Sequence, residues 1–388
     1  MIGGGEPTPL PPIRVPSPPL VTAAVPATTP PTATATAPPP APTSTPEVTA
    51  TITATPLPTS TPSPRPSPAA GPPDQVLPAI SSLVVMPDQP NVMYAVMDTR
   101  IYRSTNEGYR WVAADPTGLP AGILCYALAV DSSRPPTLYL ATSQGIYHKQ
   151  EKGVWSRLSA LRAGALAVDP RNASVLWAGV GGNILRSADA GRSWARADAG
   201  LESWSAVAAG ARRVWVSDIV IHPNNPALVW AVVRIEGAES PPLGLLYRRD
   251  SNGRWERVNL QQFEPYAATN VDSCQVAGIA FDPVANILFA GCDRCAFNRG
   301  RLLVIRSRNA AAADARSVTW EAAAPIDNPT RPCYTAGAAR PLAMGISTRH
   351  LLLSVSLVDC VGGGPLQHSL RATSDNGATW KNIRRGLP

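Results

Sequence analysis

One recurring phrase constrains this chain more than any other feature: an apolar run, a turn such as Asp-Pro, a second apolar run, a polar turn and a closing tryptophan. The first run appears at Leu83-Val84-Val85-Met86-Pro87-Asp88, Leu128-Ala129-Val130-Asp131, Leu166-Ala167-Val168-Asp169-Pro170, Ile219-Val220-Ile221-His222-Pro223 and Ile279-Ala280-Phe281-Asp282-Pro283, with a weaker copy at Met344-Gly345-Ile346-Ser347. The second follows at Val92–Val96, Leu138–Ala141, Val175–Ala178, Leu228–Val233, Ile287–Ala290 and Leu351–Leu357, and the units close on Trp111, Trp155, Trp194, Trp255, Trp320 and Trp380. Such self-similarity marks a repeat architecture, in which each unit buries its apolar face only against a neighbour.

The runs are short, rich in Val, Ile, Leu and Tyr, and punctuated by Pro, Gly, Asn and Asp, as strands joined by tight turns are. No stretch carries helical periodicity with caps at both ends. Four strands per unit predict an all-β fold, a six-bladed β-propeller of four-stranded antiparallel blades that closes radially and leaves few exposed edges. The blades are expected at about residues 80–120, 121–161, 162–201, 202–262, 263–326 and 327–388. The phrase Gly118-Leu119-Pro120, which leads out of the first unit, recurs at Gly386-Leu387-Pro388, so a seven-bladed ring with one blade outside this chain is the alternative. A β-helix or linear array is the competing geometry.

Composition divides the chain in two. Residues 1–73 hold 23 of the 43 prolines and 15 threonines, without an aromatic residue or a cysteine, and their charges (Glu6, Arg14, Glu47, Arg65) cancel. Too little apolar surface is present there to offset the entropy of ordering, so residues 1–74 read as a disordered Pro/Thr/Ala-rich stalk or linker and 75–388 as the propeller, the whole net charge of +7 belonging to residues 74–388.

A spacer of this kind points to an extracellular or cell-surface setting, with a cytoplasmic one as the alternative. Met1–Leu10 shows neither a basic nor an apolar signal region, which leads us to expect a signal or anchor upstream. The run Leu119–Val130 is the longest apolar candidate and falls short of the ~20 residues of a membrane span. Of 34 basic residues only Lys149, Lys152 and Lys381 are lysines, and the arginines are scattered, so no nucleic-acid partner is indicated.

The polar turn before the tryptophan reads Ser104-Thr105-Asn106-Glu107-Gly108-Tyr109-Arg110-Trp111 in unit one, Ser187-Ala188-Asp189-Ala190-Gly191-Arg192-Ser193-Trp194 in unit three and Thr373-Ser374-Asp375-Asn376-Gly377-Ala378-Thr379-Trp380 in unit six. It resembles the Asp-box, or BNR, repeat of sialidases, sortilin-type receptors, xyloglucanases and photosystem II assembly factors. Units two and four carry shortened forms, Gly153-Val154-Trp155 and Gly253-Arg254-Trp255, and unit five reads as having lost the turn to the loop Ala310–Ala313. The resemblance implies the fold over about residues 80–388 and a structural role for these residues: carboxylate and hydroxyl accept backbone N–H groups, glycine supplies positive φ and tryptophan packs beneath.

It implies no active site here. Sialidases place three arginines, a Tyr–Glu pair and an acid Asp together. The one similar arginine phrase, Ile13-Arg14-Val15-Pro16, lies in the tail, and no Tyr–Glu pair is assignable. A two-carboxylate glycosidase site stays open, because separation in space is not visible in sequence. The four histidines, His148, His222, His350 and His368, fall in different units without metal-ligand spacing.

The loops expected on the ligand face of such a ring carry Asp98, Arg100, Arg212, Arg213, Arg234, Asp293, Arg294 and Arg340. All six cysteines map there too, and their even number in an exported domain favours disulfides among Cys274, Cys292, Cys295, Cys333 and Cys360. Cys274 with Cys292 or Cys295, and Cys333 with Cys360, are the preferred pairs, Cys125 is left open, and zinc on Cys292, Cys295 and Cys274 is the rival. The expected function is a non-catalytic, cofactor-free monomer that binds a protein or an extracellular glycan through this face. A sialidase-like glycoside hydrolase and a photosystem-assembly-like chaperone are the alternatives.

Overall fold

The computed structural model describes residues 80–201, 211–237, 243–260, 275–293, 301–302, 304–323, 326–327, 337–344, 351–357 and 367–382. Over these residues the chain is all-β, with one 3-10 turn at Ala315–Ser317. In unit one, β1 (Ile80–Val85), β2 (Met93–Met97), β3 (Arg100–Ser104) and β4 (Val112–Ala113) pair antiparallel in chain order. Unit two repeats this with β5 (Cys125–Val130), β6 (Thr137–Thr142), β7 (Gly145–Gln150) and β8 (Ser156–Ser159), and unit three with β9 (Ala165–Asp169), β10 (Asn172–Val180), β11 (Asn183–Ser187) and β12 (Ala195–Arg196). Unit four is β13 (Ala211–Ile221), β14 (Val229–Gly237), β15 (Leu243–Arg249) and β16 (Trp255–Arg257).

The remaining strands form one eight-stranded sheet that repeats the pattern twice. Unit five supplies β17 (Gln275–Asp282), β18 (Ile287–Asp293), β20 (Val304–Ser307) and β21 (Glu321–Ala322). Unit six supplies β23 (Gly337–Met344), β24 (Leu351–Leu357), β25 (Gln367–Thr373) and β26 (Lys381–Asn382), joined to unit five at the pair Asp293 and Ala338. The short β19 (Arg301–Leu302) and β22 (Ile326–Asp327) pair with each other.

The first strands, β1, β5, β9, β13, β17 and β23, each pack on the next, and β23 packs back on β1. Those of the first five units line a channel of about 370 Å³, so the arrangement is a β-propeller. The second strands are buried and mainly apolar through their middles because both faces are covered there: all five residues of β2 are buried, as are Val175–Gly179 of β10 and Val229–Val233 of β14. The core lies between units rather than within them. Tyr94 and Ile101 of unit one share a cluster with Leu140 and Trp155 of unit two, and Trp177 of unit three shares one with Val229 and Trp255 of unit four. Among the described residues no helix is long and apolar enough to cross a membrane.

Candidate binding face

The turns that join second to third strands gather at one end of the ring and are built locally. Asp98 and Thr99 form the two-residue loop from β2 to β3 with φ of 45° and 62°, the double left-handed geometry of a type I′ hairpin. The Thr99 carbonyl accepts the amide of Cys125 at 3.0 Å, which ties this loop to the first strand of unit two. Leu124 and Tyr126 flank that junction and are 44% and 37% exposed, large apolar groups set beside the exposed Asp98 and Arg100. Among the described residues, Ser81, Tyr126, Ser217, Ala277 and Leu342 fall at register shifts in their first strands. Such bulges add twist and re-aim side chains at the rim of a ring.

Among the described residues, unit four contributes a group of polar and aromatic side chains to this face. Its first hairpin is longer than the sequence phrase indicated, because β13 and β14 stay paired out to Ala211 and Gly237. Arg213 stands opposite Glu236 and Trp215 opposite Arg234, so all four side chains share one face of the hairpin. The Arg213 guanidinium stacks on the Trp215 ring, 4.8 Å from its centroid, and Arg234 Nη1 donates to the Val276 carbonyl of unit five at 3.2 Å. Planar cation, indole and carboxylate together can bind a carboxylate, an amide or a sugar ring. Trp215 was missed by the sequence reading; the alternation Arg213-x-Trp215 opposite Arg234-x-Glu236 is its signal.

Several expected loop residues stand in strands instead. Arg100 opens β3, Arg212 and Arg213 lie in β13, Arg234 in β14, Asp293 closes β18 and Arg340 is within β23. The strands run further than their apolar cores because cross-strand pairs such as Arg213 with Glu236 extend the ladder past them. Arg294 lies outside the described residues. The structure groups Asp98 with Arg100 in unit one, and Arg213 with Arg234 in unit four.

Cys125 is not in a loop either. It opens β5, is buried and is a free thiol whose pKa burial pushes up to about 11. Cys292 lies within β18 and is fully buried. Cys274, Cys295, Cys333 and Cys360 are outside the described residues.

At the other end of the sheets the polar turns are held as hydrogen-bonded units. In unit three, Ser187 Oγ donates to Asp189 Oδ1 (2.7 Å) and accepts the Gly191 amide (2.8 Å), while Asp189 accepts the Ser193 amide (2.8 Å) and hydroxyl (2.5 Å). Thr373 and Asp375 repeat every one of these bonds in unit six, with Gly377 and Thr379. In unit one, Asn106 accepts the Arg110 amide (2.8 Å) and Ser104 the Gly108 amide (3.0 Å). Donation from Ser193 brings Asp189 down to about 2, and donation from Thr373 and Thr379 brings Asp375 to about 2. Trp111 and Trp194 pack at sheet interfaces, and Trp194 Nε1 donates to the Gly191 carbonyl at 3.0 Å.

Unit five corrects the sequence reading. Its turn is not lost but interrupted: Asn309 Oδ1 accepts from Ser307 Oγ (3.2 Å) and from the amide and hydroxyl of Thr319 (2.8 and 3.0 Å), next to Trp320. The loop between them is an insertion, and the Ser307-x-Asn309 and Thr319-Trp320 fragments were its signal. Among the described residues no group of His, Cys, Asp and Glu is placed to hold a metal ion.

No protein-family model and no curated protein matches the chain. Among solved structures, an ancestral GH74 enzyme is similar at 16% identity over 79% of this chain and 46% of its own, with a TM-score of 0.43, so the chain spans under half of that protein. YCF48 from Cyanidioschyzon merolae is similar at 12% identity over 80% of this chain and 86% of its own (TM-score 0.45), and the tricorn protease at 12% over 81% and 31% (TM-score 0.40).

Proposed function

We propose that residues 75–388 form a six-bladed propeller of Asp-box type that acts as a non-catalytic binding module, displayed outside the cell or at its surface on the Pro/Thr-rich segment 1–74. It works as a monomer and engages a protein or a glycan through the face that carries Asp98, Arg100, Leu124, Tyr126, Arg213, Trp215 and Arg234. Closure at six is supported by the packing of β23 on β1. Disulfides from Cys292 and its neighbours in unit five stiffen that face, with Cys274 and Cys295 the partners nearest in sequence.

The observation that carries the reading is the Arg213–Trp215 stack beside Arg234 and Glu236. A guanidinium resting on an indole offers fixed contact area and directional donors at low entropic cost, the features of binding anchors. The test is a glycan array and titration calorimetry on the hits, with wild type beside Arg213→Ala and Trp215→Ala. Loss of binding of tenfold or more in both variants, at unchanged melting temperature, is expected. Release of sugar from a glycoside panel would replace the reading with a hydrolase.

A further inference from the structure

Two of the joints between units are built alike but differ in charge. Between units one and two, Arg103 of β3 and Lys149 of β7 both lie over the Tyr94 ring, with Cζ and Nζ at 5.8 and 5.9 Å from its centroid. Between units three and four, Arg186 of β11 and Arg249 of β15 lie over the Trp177 ring, their Cζ atoms at 5.9 and 5.2 Å. The correspondence runs residue for residue. Arg103 stands opposite Tyr94 in the ladder as Arg186 stands opposite Trp177, and Lys149 and Arg249 each precede the closing tryptophan by six residues. The Gly153 amide donates to the Gln150 carbonyl and the Gly253 amide to that of Asp250, both at 2.9 Å. The amides of Trp155 and Trp255 donate to Thr117 and Ala199 of the preceding unit.

The difference is a carboxylate. Glu151, two residues past Lys149, accepts Arg103 Nη2 at 2.7 Å and Gln89 Nε2 at 2.9 Å, so the cations over Tyr94 have an anion beside them. Two residues past Arg249 stands Ser251, which is exposed and carries no charge. Asp250 is bound by Arg248 at 2.6 Å and Asp198 by Arg196 at 2.8 Å, and among the described residues no hydrogen bond or ion pair reaches Arg186 or Arg249. Arg249 Nε is buried with no partner, while the two side chains as wholes are half-buried and so open to a ligand. Burial lowers the pKa of both Lys149 and Arg249. Asp115 and Glu151 oppose that effect at Lys149, whereas the charge acting on Arg249 is that of Arg186, which works in the same direction. Two guanidiniums over one indole repel each other, and an anion that meets both is attracted by each.

We propose that the joint between units three and four is a carboxylate-binding site, in which Arg186 and Arg249 receive a glutamate side chain of a partner protein as Arg103 receives Glu151 in the first joint. Glu151 supplies the reason for that ligand class, since the same arrangement of ring and cations already takes a glutamate within this chain. The amide donor that Gln89 gives in unit one is matched in unit three by Asn172, one methylene shorter. The site lies at the Asp-box end of the sheets, away from the face around Arg213 and Trp215, and does not rest on the function proposed for that face.

The test is an NMR titration of the full chain that follows arginine Nε–Hε and tryptophan indole signals. The probes are acetyl-glutamyl-amide and, as its neutral control, acetyl-glutaminyl-amide. Saturable shifts at Arg186, Arg249 and Trp177 are expected with the glutamyl probe alone, and they are expected to weaken in high salt. Ser251→Glu builds the first joint's carboxylate into the second while keeping both arginines. It is expected to weaken binding of the probe about tenfold or more and to raise the melting temperature. Glu151→Ser makes the converse change and is expected to add a second binding event, seen at Arg103. Arg249→Ala is expected to abolish the shifts at Trp177; if that variant does not fold, Ser251→Glu carries the test by itself. Equal shifts with the two probes, or binding that Ser251→Glu leaves unchanged, overturns the site.

Discussion

Arg248, on the third strand of unit four, donates through Nη2 to the carbonyl of Ala312 in unit five at 2.8 Å. Its Nη1 reaches the Ala310 carbonyl at 3.3 Å and its Nε binds Asp250 at 2.6 Å, with the side chain 0% exposed. One buried guanidinium thus holds the inserted loop of unit five against its neighbour, and Ala310, Ala315 and Val318 of that insertion join the cluster shared by the two units.

Truncation at this position is therefore costly. Arg248→Ala leaves Asp250 without its cation and two carbonyls without donors, and is expected to destabilise by about 3–5 kcal/mol in urea unfolding. New cleavage within residues 310–317 under limited proteolysis is expected alongside. A loss below ~1 kcal/mol with an uncut loop would show that the insertion is held by its alanines alone.

The interrupted turn of unit five gives a second test. Asn309 accepts three bonds and also donates to the Ser317 carbonyl at 3.0 Å. Asn309→Ala is expected to cost about 1–3 kcal/mol, since it orphans the Thr319 amide and hydroxyl together. Asn309→Asp, which keeps the acceptor, is expected to retain more stability than the alanine variant in the same assay. If the two variants unfold alike, the turn is not held by this oxygen.

Backbone strain is concentrated one residue before the turn glycine. Glu107, Ala190 and Asn376 have φ of 59°, 58° and 57°, so two successive residues are left-handed in each turn. Asn376 tolerates that region, while Ala190 is strained by its Cβ. Ala190→Gly is expected to raise stability by about 0.5–1 kcal/mol, read from the unfolding midpoint, and Ala190→Val to lower it. Gly191→Ala is expected to destabilise, because its φ is +88° and the new Cβ would meet Leu158 Cδ2 at 2.7 Å.

His222 sets a pH dependence. Asp131, Asp169 and Asp282 accept amides in the turns after their first strands, and in unit four the acceptor is His222 Nδ1, at 3.1 Å from the amides of Asn224 and Asn225. The ring is 2% exposed among Trp230 and Phe281, and burial, aided by repulsion from Arg248, lowers its pKa. The unfolded chain then takes up a proton first as pH falls, so stability declines from about pH 6.5 downward. His148, also lowered by burial, adds a decline of the same sign. The informative quantity is the difference between proteins: His222→Asp is expected to flatten stability between about pH 6.5 and 5, measured by urea midpoints. An unchanged slope would assign the decline to other groups.

The repeat, the order of strands and the sides of the sheets could be read from the chain, because a strand buried on both faces must be apolar throughout and a closing tryptophan must recur once per unit. Ser187, Asp189, Gly191 and Trp194 were legible for the same reason: their bonds span at most four residues. The inserted turn was not, because Asn309 and Thr319 meet only after a loop folds away between them.

The candidate face was legible only as a set of charges. That Arg213 lies on Trp215, that Arg234 reaches unit five and that Cys125 is walled in depends on strand register and on which units become neighbours. A one-residue change of register would send Arg213 and Trp215 to the opposite face. Sequence alone determined the unit, since it is local and periodic. Which units meet, and therefore which side chains share a surface or a core, was decided only by tertiary structure, because those contacts join residues tens of positions apart through packing that no local pattern encodes.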